Sequence, residues 1–181
     1  MASAGRAEGS QVLGRGPLIL VTIGSSLPFD RLVRKVDELA SRWPGEQFFA
    51  QIGAGRYEPR NMRFARMLPA VEFSDALKSS RLAIAHAGMG TVISALEAGT
   101  PIVIFPRRAA FGEVTTDHQV ATARWLCEKA GVHVAFEEEA LCAAIERGLA
   151  DGLPGSTVPR NAPAALLDKI RSFINQASRA T

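Results

Sequence analysis

Leu82-Ala83-Ile84-Ala85-His86-Ala87-Gly88-Met89-Gly90-Thr91 decides how this chain is read. A short apolar run, of the kind that forms a strand buried on both faces, breaks at a histidine and two glycines. Val92 to Ala98 then follows a helical pattern that stops at Gly99, and Pro101-Ile102-Val103-Ile104-Phe105-Pro106 reads as the next buried strand. Arg107-Arg108 leave that strand, and Asp117-His118-Gln119 open a helix predicted over 116–130. Strand, glycine turn, helix and strand make a βαβ unit, in which ligands collect at the strand ends where helix N-termini point. The N–H groups of Gly88, Met89, Gly90 and Thr91 are then free to meet an anion, and glycines let its oxygens approach the backbone. Among anions, a nucleotide diphosphate fits that turn best.

Upstream, Leu18-Ile19-Leu20-Val21-Thr22-Ile23 is a second buried strand, ending at Gly24-Ser25-Ser26. Ser26 is placed to cap a helix whose first turn holds Pro28 and Asp30, with Leu32, Val36, Leu39 and Trp43 recurring on its inner side. Gln47 to Ile52 and Met62 to Met67 are further strands. Leu68 to Phe73 reads as a loop entering a short helix capped by Ser74 or Asp75. Downstream, Gly131 stops a helix, Val132 to Ala135 is an edge strand, and Glu137-Glu138-Glu139 open a helix with Arg147 near its other end. Asp151 to Pro159 is a loop, and a last helix over 163–177 carries Leu166, Leu167, Ile170, Phe173 and Ile174 on one stripe. About six strands alternating with helices predict an α/β protein: a Rossmann-like, open, mostly parallel sheet with helices on both faces. One domain over 17–178 accounts for the pattern, behind a small, polar, glycine-rich lead-in over 1–16.

Composition excludes several classes. With 181 residues, 47% hydrophobic and 22% charged, the chain suits one globular domain with a substantial core. No apolar run approaches the roughly 20 residues of a membrane span. Cys127 and Cys142 both fall in helical patterns, as reduced cytosolic thiols do, and three scattered histidines do not make a zinc site. A net charge of +3 gives no argument for nucleic acid. A dinucleotide-binding oxidoreductase needs G-x-G-x-x-G after the first strand and an acidic residue about 20 positions on. Here the first turn, Gly24-Ser25-Ser26-Leu27-Pro28, has one glycine, and the second strand ends in Gln51-Ile52-Gly53.

Taken together, His86-Ala87-Gly88-Met89-Gly90-Thr91, Ala98-Gly99-Thr100-Pro101 and Asp117-His118-Gln119 resemble the C-terminal, donor-binding half of GT-B glycosyltransferases of family 28 type. Val21-Thr22-Ile23-Gly24-Ser25-Ser26 followed by Phe29-Asp30 is similar to half-length subunits of bacterial polysaccharide synthesis, the PssE type, and to the catalytic subunit of the dolichol-linked N-acetylglucosaminyltransferase. The resemblance covers about residues 17 to 177. It implies a UDP-sugar donor as substrate and no further cofactor. In its terms His86 and the amides of Gly88 to Thr91 hold the diphosphate; Gly24 and Ser25 also contact the donor; backbone around Phe73 and Ser74 borders the uracil; His118 and Gln119 face the hexose hydroxyls. Where many relatives carry a glutamate that grips the ribose, this chain has Ser94, with Glu97 three residues on. A serine hydroxyl cannot make the bidentate carboxylate contact, so either Glu97 reaches round or the ribose is held more weakly. Arg107 and Arg108 have the bland reading of surface charge after a strand, against a guanidinium pair facing phosphate or a sugar carboxylate.

Sugar transfer from a nucleotide diphosphate needs stabilisation of the leaving group and a base for the acceptor hydroxyl. The helix N-terminus with His86 supplies the first, and the chain contains no D-x-D metal motif, so metal-independent chemistry is expected. No residue stands out as the base. The resemblance implies that a membrane-anchored, acceptor-binding subunit supplies it, for inverting transfer of a hexose or uronic acid to a lipid-linked sugar at the cytoplasmic membrane face. The alternative is a non-catalytic nucleotide-sugar-binding module that regulates or scaffolds a polysaccharide assembly.

Overall fold

In the computed structural model, residues 18–151 are described. The expected lead-in and the helix over 163–177 lie outside them. Six strands, β1 (Leu18–Thr22), β2 (Gln47–Gln51), β3 (Arg63–Ala65), β4 (Ser80–Ala85), β5 (Ile102–Ile104) and β6 (Val132–Val134), alternate with five helices, α1 (Asp30–Ala40), α2 (Ala70–Ser79), α3 (Met89–Ala98), α4 (His118–Leu126) and α5 (Glu138–Ala150). The strands form one sheet in the order β3-β2-β1-β4-β5-β6. Every pairing is parallel.

Period-two alternation in the strands divides the core into two layers. Ile19, Val21, Phe48, Ala50, Leu82, Ile84 and Val103 point to one face, where they meet Leu32, Val33 and Val36 of α1 and Leu141, Ala144 and Ile145 of α5. Leu18, Leu20, Phe49, Ala83, Ala85, Ile102 and Ile104 point to the other, against Ala76 and Leu77 of α2, Val92 and Ala95 of α3, and Ala123 and Leu126 of α4. With both faces covered, the central strands read as unbroken apolar runs.

Two helix starts differ from the sequence pattern. The first helix begins at Asp30, not beside Ser26, and Phe29 takes the capping position. The Gly24–Leu27 stretch is held as a loop because the carbonyls of Ile23 and Leu27 both accept hydrogen bonds from Arg107. The second begins at Ala70, with Pro69 before it, so Ser74 and Asp75 lie inside α2 and cap nothing. Proline has no N–H to lose there and its ring fixes a compatible φ, which makes it a good leader for a helix. The α3 stop is as expected: Gly99 takes φ 71°, and Thr100 N–H closes onto the Ala95 carbonyl at 2.9 Å.

Candidate functional site

Where β1 and β4 lie side by side, the chain leaves in opposite directions. α1 returns over one face to β2, and α3 over the other to β5. The loops after β1 and β4 therefore part at the carboxyl end of the sheet, the place where open α/β sheets bind ligands. A cleft of about 300 Å³ opens there. Ile23 to Leu27 form one wall, His86, Gly88, Gly90 and Thr91 the other, and Arg107 and Gln119 complete the lining.

The α3 end of the cleft is uncapped. No side chain caps the helix, and its first internal bond runs from Val92 N–H to the Gly88 carbonyl, 3.1 Å. The amides of Met89, Gly90 and Thr91 consequently have no helical partner. A β-carbon built on Gly90 meets nothing within 4 Å. The fold does not require glycine there, and its absence of a side chain keeps the helix end open.

His86 is packed between the two loops. A β-carbon on Gly24 would come 2.6 Å from its Cε1, and one on Gly88 would overlap Nε2. Gly24 also has φ 78°, and Gln51 holds its carbonyl through Nε2 at 3.3 Å. Burial, and then the charge of Arg107, lower the imidazole pKa from 6.5 to about 4. His86 is thus neutral at neutral pH, and its buried Nδ1 has no hydrogen-bond partner. It offers a ligand a hydrogen bond and not a charge.

Arg107 is not surface charge. Only 2% exposed, it donates through Nη2 to the carbonyls of Ile23 and Leu27, both at 2.7 Å. Arg108 reaches away to the Phe136 carbonyl and to Glu137 at 2.6 Å. Both guanidinium groups are engaged within the fold. Gln119 is buried at the cleft, and its Oε1 accepts the Arg107 N–H at 3.1 Å, which leaves Nε2 as the end available to a ligand. His118 is exposed, bonded by Nδ1 to Thr116 Oγ1 at 3.0 Å, and is not among the residues lining the cleft.

The other expected contacts gather beside it. Phe73, Ser74, Lys78, Ser94 and Glu97 line a second hollow of about 690 Å³ between α2 and α3. The Phe73 N–H is committed to the Pro69 carbonyl at 2.9 Å, so that amide is not open to a base. The residues that the sequence groups as one nucleotide site therefore fall into two hollows that share α3. Met89, 41% exposed, stands at the helix start. Among the described residues no group of three or more His, Cys, Asp or Glu side chains is placed to hold a metal ion.

Three residues that shape the cleft do not stand out in the sequence. Gln51 bridges Gly24 to the Leu68 N–H; an amide ending an apolar strand is the signal that was available. Arg31 and Glu113 form a two-bond ion pair, 2.7 and 2.8 Å, that joins α1 to the loop after β5. Nothing in local sequence relates residues so far apart.

A parallel sheet of this order, with its cleft at the reversal point, is the architecture of a Rossmann-like half-domain. Residues 18–176 match the glycosyltransferase family 28 C-terminal domain, and the chain belongs to that family. No curated protein matches the chain. Among solved structures, it is similar to MurG of Acinetobacter baumannii (17% identity, 93% of this chain and 54% of that one, TM-score 0.64). It is also similar to ALG13 (18% identity, 79% and 90%, TM-score 0.56). A third is the glycosyltransferase SsfS6 of Streptomyces sp. SF2575, solved with thymidine diphosphate (20% identity, 77% and 36%, TM-score 0.54). The chain thus spans about half of MurG, about a third of SsfS6 and nearly all of ALG13. At these identities the likeness is one of fold.

Proposed function

We propose that this chain is the donor-binding subunit of a two-component, inverting glycosyltransferase, taking a hexose or uronic acid from a UDP-sugar. The observation that carries it is the uncapped α3 end: free amides at Met89, Gly90 and Thr91, open space over Gly90, and a neutral imidazole beside them. Such amides stabilise the charge that develops on a leaving diphosphate without needing a metal. The hollow lined by Phe73, Ser74, Ser94 and Glu97 borders the same helix, where positions 90, 94 and 97 share one face, and in this reading it takes the rest of the nucleotide.

The base for the acceptor hydroxyl is assigned to a partner. Among the described residues no carboxylate lines the cleft, and an imidazole whose pKa is about 4 is a weak base near neutral pH. In this reading a separate acceptor-binding chain supplies the base. In this proposal that chain is membrane-anchored, presents a lipid-linked sugar at the cytoplasmic face, and brings the donor subunit there as a peripheral component. Among the described residues no helix is long and apolar enough to cross a membrane.

A second reading, a non-catalytic nucleotide-sugar sensor in a polysaccharide assembly, is favoured by Ser94 and by the absence of a base in the cleft. Calorimetry with UDP, followed by transfer assays with and without a membrane fraction supplying the acceptor chain, tests both. UDP binding with transfer only in the presence of the membrane fraction is expected. Binding with no transfer in either case favours the sensor, and no UDP binding overturns the donor site itself.

A further inference from the structure

Arg107 has the bulkiest of the fully buried side chains, and its surroundings are unusual for a guanidinium. Nη2 is shared between two carbonyls of the β1–α1 loop, and the Phe29 ring lies 5.0 Å from the guanidinium carbon. Nε is buried and has no acceptor among the described residues. Among the described residues no carboxylate stands within ion-pair distance of it. Glu113, the acid whose charge it feels, has its oxygens engaged by Arg31 and by the Arg108 N–H. Buried charges are ordinarily paired, because removing one from water without a counter-charge is costly. Two carbonyl dipoles offset part of that cost and leave the net charge uncancelled.

We infer that Arg107 is a positioning residue that fastens the Gly24–Leu27 loop to the end of β5 and keeps an unneutralised positive charge at the cleft, for which the donor's diphosphate is the counter-anion. This rests on the donor site proposed above. The loop that forms one wall of the cleft is held at Gly24 by the Gln51 amide and the Thr22 hydroxyl, and at the carbonyls of Ile23 and Leu27 by this cation. Lysine is not equivalent, since its stem ends one bond short of the Nη2 position that donates to both carbonyls, and its ammonium is the more strongly hydrated group.

The test compares UDP with uridine, by calorimetry, on wild type, Arg107→Met and Arg107→Lys. Arg107→Met is expected to weaken UDP at least tenfold and leave uridine unchanged, with Arg107→Lys intermediate for UDP. In parallel, the His86 pKa followed by NMR is expected to rise more in Arg107→Met than in Arg107→Lys, the difference between the two variants reading the charge apart from the fastening of the loop. Equal losses for both ligands, or no loss for either, overturn the inference. If Arg107→Met does not fold, Arg107→Lys decides: selective weakening of UDP supports the role, and an equal change or none overturns it. Failure of wild type to bind UDP is a different result, and it removes the donor site and not this assignment alone.

Discussion

The His86 imidazole lies so close to the α-carbon of Gly88 that a single β-carbon there would overlap Nε2. The second glycine against the ring, Gly24, faces it from the other loop. The glycines after β1 and β4 are thus explained first by a histidine and only then by a ligand. Gly88→Ala should force the ring or the start of α3 to move, at the roughly 1–3 kcal/mol typical of overpacking a filled site. A lowered denaturation midpoint together with weakened UDP binding is expected. Wild-type values for both would show that the loops give way freely.

Gly90 behaves in the opposite manner. It has open space around its α-carbon, so Gly90→Val should fold normally. Its branched side chain would nevertheless stand over the free amides. Losing two amide bonds to a charged oxygen, at about 1.5–3 kcal/mol each, lowers UDP affinity by roughly 100-fold or more. Calorimetry alongside circular dichroism measures both halves of that expectation. Unchanged affinity would remove the α3 end as the diphosphate site.

Most of the fold is legible in the sequence because the central strands are short, apolar and β-branched, and Gly99 marks the end of α3; Gly131, expected to stop a helix running to 130, lies instead in the turn before β6, because α4 ends at Leu126. Strand order is not, since nothing local to Leu18–Thr22 says that it pairs with Ser80–Ala85 as well as Gln47–Gln51. Helix starts mislead where a long-range bond decides the backbone: Ser26 looks like a cap, but Arg107, some 80 residues on, holds that loop open. Arg107 itself differs in kind from its sequence pattern, as charge beside an apolar run is read as solvated unless its partners are known, and those are carbonyls. His86 is marked by its glycines, whereas its neutrality comes from burial and from Arg107, which only the folded arrangement reveals.

Acid should cost this protein stability in a defined window. His86 is held neutral in the fold, with its pKa lowered from 6.5 to about 4, first by burial and then by Arg107. Between those values the unfolded chain binds a proton that the folded one does not. Stability from this group is complete above about pH 6.5 and falls as pH drops toward 4, by at most about 3 kcal/mol. Denaturation of wild type and His86→Gln at pH 7, 5.5 and 4.5 isolates the effect from the carboxylates. Wild type should lose more than the variant across that series, and parallel losses would contradict it.

Gln119 has two duties. Its Oε1 accepts the Arg107 N–H, while its other end is left to the cleft. Gln119→Ala therefore leaves a buried amide unpaired, at about 1–3 kcal/mol, as well as removing whatever bond Nε2 makes to a ligand. Gln119→Glu would add a buried negative charge beside the proposed diphosphate, so Gln119→Ala is the variant to measure, with denaturation reporting the lost acceptor. Weaker binding of UDP-sugar than of UDP is expected. Equal weakening of both ligands would place Gln119 on the nucleotide or in the scaffold.

The join between α1 and the loop after β5 should be sensitive to the loss of one charge and less so to the loss of both. Arg31 is 14% exposed and Glu113 10%, and their two bonds are supplemented by a third from the Arg31 Nη2 to the Pro106 carbonyl at 3.3 Å. Arg31 also lies between the rings of Phe105 and Phe111, 4.3 and 4.7 Å from their centres, so its removal takes away packing as well as charge. Glu113→Ala strands the guanidinium among aromatic rings and frees the Arg108 N–H that Oε2 accepts. Breaking one side of a buried pair costs about 3–5 kcal/mol, because the other charge is left uncompensated. Glu113→Gln, which keeps an acceptor without the charge, should cost less. Arg31→Met combined with Glu113→Gln should recover part of the loss, since no bare charge then remains. Because Arg107 lies in the same loop, UDP affinity should fall in Glu113→Ala along with stability. Chemical denaturation and calorimetry on the three variants check this, and a double variant less stable than Glu113→Ala would show that the pair is held by packing alone.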